Sequence, residues 1–322
     1  MKIEEIYALI ENEMEQVNAC IKGKLSSEVV LINQVGQYIV HSGGKRLRPV
    51  LHLLTANAFQ YKGSQHIECA SLIEFIHTAT LLHDDVVDAS ELRRGQDTAN
   101  AVFGNEASVL VGDFLYSRAF QMMVEINQMR IMDILANATN TIAEGEVQQL
   151  LNVHDPDTTE ARYLQVIHDK TAKLFESATQ LAAILSQQPA EVENAIASYG
   201  MHLGTAFQLI DDVLDYSHSS DEIGKNIGDD LAEGKPTLPL IFTMHNGTPE
   251  QNNLMRDVIE HGGRERFDEV KQILTDVGAI AYTEQTARSE ADKAIECLSV
   301  LPDTIYKEAL HALAEFSVNR TY

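Results

Sequence analysis

The chain lacks tryptophan and has few cysteines, prolines and basic residues for its 322 residues. Its 24 lysines and arginines are outnumbered by 48 aspartates and glutamates, which gives a formal net charge of −24. Because nucleic acids attract clustered lysine and arginine, this balance excludes a nucleic-acid partner. The few basic residues that lie near acidic motifs are therefore the informative ones.

The three cysteines, Cys20, Cys69 and Cys297, are scattered and have no metal-ligand spacing. This excludes a disulfide framework or zinc site and indicates reduced thiols in a cytoplasmic protein. No apolar run approaches the roughly 18 residues of a membrane span. The N-terminus carries early acids and no apolar core, so we expect neither a signal peptide nor a transmembrane segment.

Only seven prolines occur, and none lies between Pro49 and Pro156. Apolar residues recur at spacings of three and four over 67–87, which predicts a largely buried helix. The same pattern recurs in five further segments, 107–124, 131–151, 163–185, 192–216 and 283–298. Strand-like alternation and long polar linkers are missing. We therefore expect an all-α fold in a single domain, 1–322.

An acidic pentapeptide occurs twice, as Asp84-Asp85-Val86-Val87-Asp88 and as Asp211-Asp212-Val213-Leu214-Asp215. On a helix its first and fifth residues share a face and are separated by a rise of roughly 6 Å. Like charges at this spacing destabilise a helix by about 0.2 to 0.5 kcal/mol per pair. Clustered carboxylates do suit Mg²⁺, which also binds substrate phosphates. The repeat predicts a magnesium and diphosphate site between two helices.

Basic segments accompany the two acidic motifs. Arginine offers forked donors to phosphate, and lysine offers a point charge. A Gly-Gly turn before a helix also presents backbone donors to an anion. These segments are Gly43 to Arg48, Arg93-Arg94, Lys170-Thr171, and Gly224 to Lys225 with Lys235.

Histidines leave a second interpretation open. His77 lies two turns before Asp84, and a lone histidine on an apolar helix is usually a core residue. His83 adjoins Asp84, as in histidine–aspartate (HD-type) metal phosphohydrolases, with His52 as a further candidate ligand. That alternative leaves the second aspartate motif unexplained.

Three segments together resemble the trans-polyprenyl diphosphate synthase family. They are Gly-Gly-Lys-Arg at 43–46, the run from Glu to Asp at 74–88, and the run from Gly to Asp at 204–215. The resemblance implies an isoprenoid synthase fold, a helical bundle of roughly ten or more helices around a deep central cavity. It also implies that both aspartate motifs lie at the mouth of this cavity, and that the protein is a homodimer.

The resemblance assigns a role to each matching position. It implies three Mg²⁺ ions, with Asp84, Asp88 and Asp211 as metal ligands that act in catalysis together with Lys170. The allylic diphosphate is assigned to Arg93, Lys170, Thr171, Gln208 and Lys225, with Lys235 a weaker match. Isopentenyl diphosphate is assigned to Lys45, Arg48, His77 and Arg94.

The implied reaction condenses farnesyl diphosphate with successive isopentenyl diphosphates to give octaprenyl diphosphate for a quinone side chain. Short-chain members carry an aromatic residue where this chain has Ala79 and Thr80, so a long product fits. Phe120, Met122 and Met123 are candidates for the floor of the chain-length pocket. Because the product is lipophilic, transient delivery to a membrane is expected.

Three related alternatives stay open at this point. They are a long-chain synthase of another length, a class I terpene cyclase, and an inactive helical partner of a heteromeric synthase. Cyclases usually carry an Asn/Ser/Glu motif where this chain has Asp211 to Asp215. The sequence assigns no role to Arg320 near the C-terminus.

Overall fold

A computed structural model describes residues 1–41, 43–93, 95–217 and 228–320. The fold is all-α, as predicted. Within these ranges the strands are β1, Leu92–Arg93, and β2, Gln96–Asp97, which pair antiparallel. Strands of two residues leave no alternating pattern in a sequence, so the sequence does not predict them.

The helices before residue 153 are α1 Ile3–Ala8, α2 Glu11–Leu25, α3 Val30–His41, α4 Leu47–Ala58, α5 Gln65–Val87, α6 Ala99–Phe103, α7 Asn105–Ile126 and α8 Met129–Asn152. After it come α9 Glu160–Val166, a π-helical turn Ile167–Ala172, α10 Lys173–Leu185, α11 Ala190–Ser217, α12 Asp229–Ala232, α13 Leu238–Asn246, α14 Pro249–His261, α15 Phe267–Val277, α16 Ala279–Cys297 and α17 Ile305–Asn319. Short 3₁₀ turns cover Arg264–Arg266 and Leu298–Val300.

The apolar periodicity located the long helices correctly. The segment expected at 67–87 is α5, and those expected at 107–124 and 131–151 are α7 and α8. One expected segment, 163–185, contains the π-helical turn, which keeps helical periodicity while changing its pitch.

The chain forms two compact units, each built from separate segments. Unit one contains Met1–Thr139, Leu174–Gly200 and Cys297–Leu313, and unit two contains Asn140–Lys173, Met201–Glu296 and Ala314–Tyr322. Boundaries between the units fall inside α8, α10, α11, α16 and α17. A single domain over 1–322 stays a prediction.

In unit one, α5 is the central helix and packs against α2, α4 and α7. Its residues Leu72, Ile73, Ile76 and Leu82 are fully buried. Burial of one such side chain contributes roughly 1.5 to 3 kcal/mol to folding. Helix α5 is thus a rigid support for the aspartates at its end.

Unit two has its own core beneath the second aspartate motif. Leu209, Leu240 and Met255 are fully buried in it. The rings of Tyr216 and Phe267 are stacked, with their centroids 6.0 Å apart. None of the described helices is long and apolar enough to cross a membrane.

Helices α10 and α11 approach closely at Gly200. A Cβ atom there would collide with the carbonyl oxygen of Phe175 and the hydroxyl of Thr179. Gly200 thus lets α11 lie directly on the backbone that carries Phe175.

We expect Gly200→Ala to lower the free energy of unfolding by about 1 to 3 kcal/mol, because main-chain atoms must shift to admit the methyl group. Urea unfolding followed by circular dichroism measures this change. Gly23→Ala is the matched control, since nothing lies within 4 Å of the added Cβ in α2. It should stabilise by roughly 0.5 to 1 kcal/mol; equal effects of the two changes would contradict the close approach.

Candidate active site

The first aspartate motif occupies the C-terminal end of α5. Asp84 lies in the last turn, and Asp88 follows Val87, with its N–H donating to the Asp84 carbonyl at 2.8 Å. Both carboxylates are half-buried. The negative end of a helix dipole disfavours carboxylates, so this position calls for nearby cations.

Asp85, between them, is fully buried and paired with Arg93 of β1. The Nε and Nη2 atoms of Arg93 donate to Asp85 Oδ1 at 2.8 and 2.6 Å. Asp85 Oδ2 is buried without a hydrogen-bond partner among the described residues. The hairpin, which no pattern in the sequence predicts, is what brings Arg93 back onto α5. Since a guanidinium has five N–H donors, Arg93 retains donors for a diphosphate.

Two of the predicted isopentenyl diphosphate ligands contact each other in unit one. Arg48 Nη1 lies 3.1 Å from His77 Nε2, and its guanidinium lies 4.4 Å over the Phe175 ring. Arginine only donates, so His77 Nε2 accepts this bond and the ring proton is on Nδ1. Lys45 is exposed just before α4, while Arg94 lies outside the described residues.

The second motif lies in the last two turns of α11, again at the negative end of a helix. Here Arg320, which the sequence left without a role, donates to Asp211 Oδ1 at 2.6 Å. Arg320 also donates to the Phe207 carbonyl at 2.6 Å and stacks 3.6 Å over the Phe207 ring. Its side chain is 5% exposed, whereas Asp211 is 42% exposed. Arg320 is thus the counter-ion of a predicted metal ligand.

Asp212 is buried and held by two neutral donors. The Tyr163 hydroxyl donates to Oδ2, and Gln208 Nε2 donates to Oδ1 at 2.9 Å. Gln208 Oε1 accepts from the Thr171 hydroxyl at 3.2 Å. Burial first, and then the charge of Asp230, raises the pKa of Asp212 to about 8. This chain of bonds fixes Gln208 and Thr171, both predicted to hold the allylic diphosphate.

Lys170 and Thr171 belong to the π-helical turn between α9 and α10. Such turns recur at functional sites because they redirect side chains without ending the helix. Lys170 Nζ pairs with Glu146 Oε2 of α8 at 2.6 Å. Gly145 lets α8 reach the turn, since a Cβ there would lie 2.7 Å from the Lys170 nitrogen.

Two further residues near the second motif have partners in unit two. Asp215 Oδ1 accepts from the Gly228 N–H at 3.2 Å. Lys235 Nζ pairs with Glu233 at 2.5 Å, so part of its charge is already balanced. Lys225 lies outside the described residues.

The predicted chain-length residues differ in burial, and Thr80 is half-buried. Ala79 on α5 and Met123 on α7 are completely buried, and Thr80 donates to the His77 carbonyl at 2.8 Å. Phe120 differs, because it is 38% exposed on α7. Met123 is therefore the better candidate for the floor, an assignment that stays a prediction.

The two histidines of the phosphohydrolase alternative have partners within unit one. His83 Nε2 lies 3.3 Å from Asp113 Oδ1 and 3.2 Å from the Val109 carbonyl of α7. His52 is fully buried, its Nδ1 lies 2.7 Å from the Ala178 carbonyl, and burial lowers its pKa to about 4.

The donors of the first motif fit Mg²⁺. Asp84 and Asp88 supply hard carboxylate oxygens one turn apart. Asp85 Oδ2 is a buried acceptor that receives no hydrogen bond from the described residues. No group of three or more His, Cys, Asp or Glu that could hold a metal occurs in the described part of the chain. Magnesium does not require such a cage, because water and substrate phosphates complete its shell.

Comparison with known proteins decides the family. The polyprenyl synthetase family model matches residues 29–277. The chain belongs to the polyprenyl synthetase family. It is therefore a trans-prenyltransferase, an enzyme that elongates an allylic diphosphate with isopentenyl diphosphate, and the family is a magnesium-dependent class.

Relatives match along the whole chain. Octaprenyl diphosphate synthase of Escherichia coli (strain K12) is 54% identical over 321 residues, 99% of each chain. The geranyl-diphosphate-specific all-trans-nonaprenyl-diphosphate synthase of Rhodobacter capsulatus is 45% identical over 318 residues, 98% of each. A polyprenyl synthase from Caulobacter crescentus CB15, solved with calcium and isoprenyl diphosphate, superposes with a TM-score of 0.96 at 40% identity, covering 100% of this chain and 98% of its own.

We expect Arg320→Gln to lower the free energy of unfolding without Mg²⁺ by about 1 to 3 kcal/mol, since a buried counter-ion is lost. Urea unfolding in the presence of EDTA, which removes Mg²⁺, measures this change in the free energy of unfolding. Arg256→Gln is the control: Arg256 also pairs with an aspartate, Asp157, at 2.9 Å, but the two side chains are 38% and 77% exposed. That change should cost about 0 to 1 kcal/mol. Equal losses would contradict a special role for Arg320.

Proposed function

We propose that the protein condenses farnesyl diphosphate with successive isopentenyl diphosphates to give all-trans octaprenyl diphosphate. The observation that carries this proposal is a fully buried alanine, Ala79, one turn before Asp84 on α5. A small residue there leaves room for a long chain beside the carboxylates. The 54% identity to an octaprenyl diphosphate synthase supports the product length.

Substrate binding divides between two sets of residues. Arg93, Lys170, Thr171, Gln208 and Lys225 hold the allylic diphosphate, and their donors stabilise the charge that develops as diphosphate departs. A second set, Lys45, Arg48, His77 and Arg94, holds isopentenyl diphosphate so that its double bond can attack the allylic carbon. Water must be excluded from the bound substrates, because water would quench the allylic cation.

Proton loss completes the condensation. The carbon–carbon bond forms as the double bond donates its electron pair, and one proton then leaves to create the new allylic double bond. We assign this proton to the released diphosphate rather than to a protein base.

Three Mg²⁺ ions are proposed, two of them held by Asp84 and Asp88 and the third bound with the help of Asp211. When bound, they supply charge neutralisation for the departing diphosphate. Asp85 and Asp212 are buried and hold Arg93 and Gln208 in place, so we assign them supporting roles.

The proposed assembly is a homodimer formed through α7. Its residues Val109, Leu110, Phe120 and Val124 point to one side of the helix and are 37 to 67% exposed. Such an apolar stripe on a helix marks an interaction surface. The enzyme is proposed to act in the cytoplasm and to deliver its lipophilic product to a membrane for a quinone side chain.

To test the function, the purified chain is incubated with Mg²⁺, farnesyl diphosphate and radiolabelled isopentenyl diphosphate. Dephosphorylated products are then sized by reversed-phase chromatography. We expect octaprenol as the main final product. A ladder that stops elsewhere would overturn only the product length, whereas no elongation would overturn the activity.

Variants of α7 make the same assay sharper. Met123→Ala should extend the final product, since its buried side chain is proposed to block the growing tail. Phe120→Ala is the matched control on the same helix, and because Phe120 points outward it should leave the product length unchanged. A longer product from Phe120→Ala but not from Met123→Ala would mean that Met123 does not form the floor of the chain-length pocket.

The dimer is tested by light scattering after size-exclusion chromatography. We expect twice the chain mass of 35.7 kDa for the unmodified protein, and dissociation of the variant Leu110→Asp/Val124→Asp. Ile305→Asp, at a residue 49% exposed on α17, should stay dimeric. A monomeric unmodified chain would rule out the proposed assembly.

A further inference from the structure

Helices α1 and α2 precede the residues matched by the family model, yet both reach the loop 43–46 that carries Lys45. The hydroxyl of Tyr7 on α1 donates to the main-chain oxygen of Lys45. Arg46, the next residue, donates from Nη1 to Asn18 Oδ1 on α2. The loop is therefore held at two consecutive residues by two different helices of unit one.

The loop needs such support because its backbone is unusual. Gly43 and Gly44 have φ values of +78° and +138°, and Arg46 has φ of +45°. Left-handed backbone is unfavourable for a residue with a Cβ, and it persists only where the surrounding structure fixes it. Arg46 then begins α4, since its carbonyl accepts from the Val50 N–H at 3.0 Å. The turn thus sets the direction of both the loop and α4.

This geometry separates the basic side chains of the loop. Arg46 is directed to Asn18 and away from Arg48, which lies against His77 and Phe175. Lys45 is exposed, and its side chain is long and flexible. The place from which Lys45 reaches an anion therefore depends on the backbone bond made by Tyr7.

The Tyr7 hydroxyl is suited to this bond at all ordinary pH values. Burial, and secondarily the charge of Glu74, raises the pKa of Tyr7 to about 12. The group therefore stays protonated and can donate. Glu74 lies three residues before His77 on α5, so its charge acts on Tyr7 from the helix that carries His77.

We propose that Tyr7 is a positioning residue for isopentenyl diphosphate binding, acting through the Lys45 backbone, and that Asn18 supports it through Arg46. The inference rests on the proposed function, which assigns Lys45 to isopentenyl diphosphate. The inference gives α1, a helix that precedes the residues matched by the family model, a part in binding one of the two substrates.

A double-mutant cycle tests the proposal, with Tyr7→Phe and Lys45→Met made singly and together in the full chain. Tyr7→Phe removes only the hydroxyl, and Lys45→Met removes the charge while leaving the main-chain oxygen in place. KM is measured separately for each substrate together with kcat. Calorimetric titration with isopentenyl diphosphate alone measures its binding without turnover.

We expect Tyr7→Phe to raise KM for isopentenyl diphosphate by about three- to ten-fold, the effect of one neutral hydrogen bond. KM for farnesyl diphosphate and kcat should change less than about two-fold, because the allylic site is untouched. In the Lys45→Met background, Tyr7→Phe should add nothing, since the two changes act through one group. Asn18→Ala should shift KM in the same direction, and Tyr282→Phe, whose hydroxyl bonds Glu160 at 3.1 Å in unit two, should not.

The other outcomes separate the possible failures. If Lys45→Met raises KM for isopentenyl diphosphate and Tyr7→Phe does not, the inference is wrong and the substrate assignment stands. If Tyr7→Phe has the same effect with and without Lys45, Tyr7 does not act through Lys45. If Lys45→Met has no effect, both the assignment and the inference fall. If Tyr7→Phe lowers thermal stability, Asn18→Ala takes its place in the cycle. A rise in KM for isopentenyl diphosphate that disappears in the Lys45→Met background then supports the inference, and no rise, or the same rise in both backgrounds, contradicts it.

Discussion

Carboxylates at the negative ends of two helices are the constraint on which the rest of the site depends. Both aspartate motifs lie in the last turns of long helices, α5 and α11. The helix dipole and mutual repulsion both oppose this placement. Each motif is therefore joined by an arginine from elsewhere in its unit: Arg93 from the hairpin and Arg320 from the region after α17. In a chain of net charge −24, the location of these two arginines matters more than the overall charge.

Rigid packing keeps the charged groups in place. The buried face of α5 fixes the first motif from behind, and the core around Leu209 and Tyr216 fixes the second. Two glycines allow helices to approach near proposed diphosphate-binding residues. Gly145 admits α8 to the π-helical turn that carries Lys170, and Gly200 admits α11 to the backbone of Phe175, whose ring contacts Arg48.

Much of this could be read from the sequence, for physical reasons. Helical periodicity is local, so the long helices were found, and a repeated acidic motif is unusual enough to indicate a cation site. Arg320, Tyr163 and Tyr7 were missed because each contacts the site from a distant part of the chain. An isolated arginine or tyrosine carries no periodic or spacing signal. The short hairpin was missed for a similar reason, although it alone explains how Arg93 returns to Asp85.

The two motifs are alike in sequence but unlike in charge. In the first, the buried Asp85 pairs with Arg93. In the second, Arg320 pairs with Asp211, and Asp212 is held by neutral donors with a pKa raised to about 8. The arginine therefore meets the second residue of the pentapeptide in one motif and the first residue in the other. The same pentapeptide thus acquires two electrostatic roles from the neighbours that each unit folds around it.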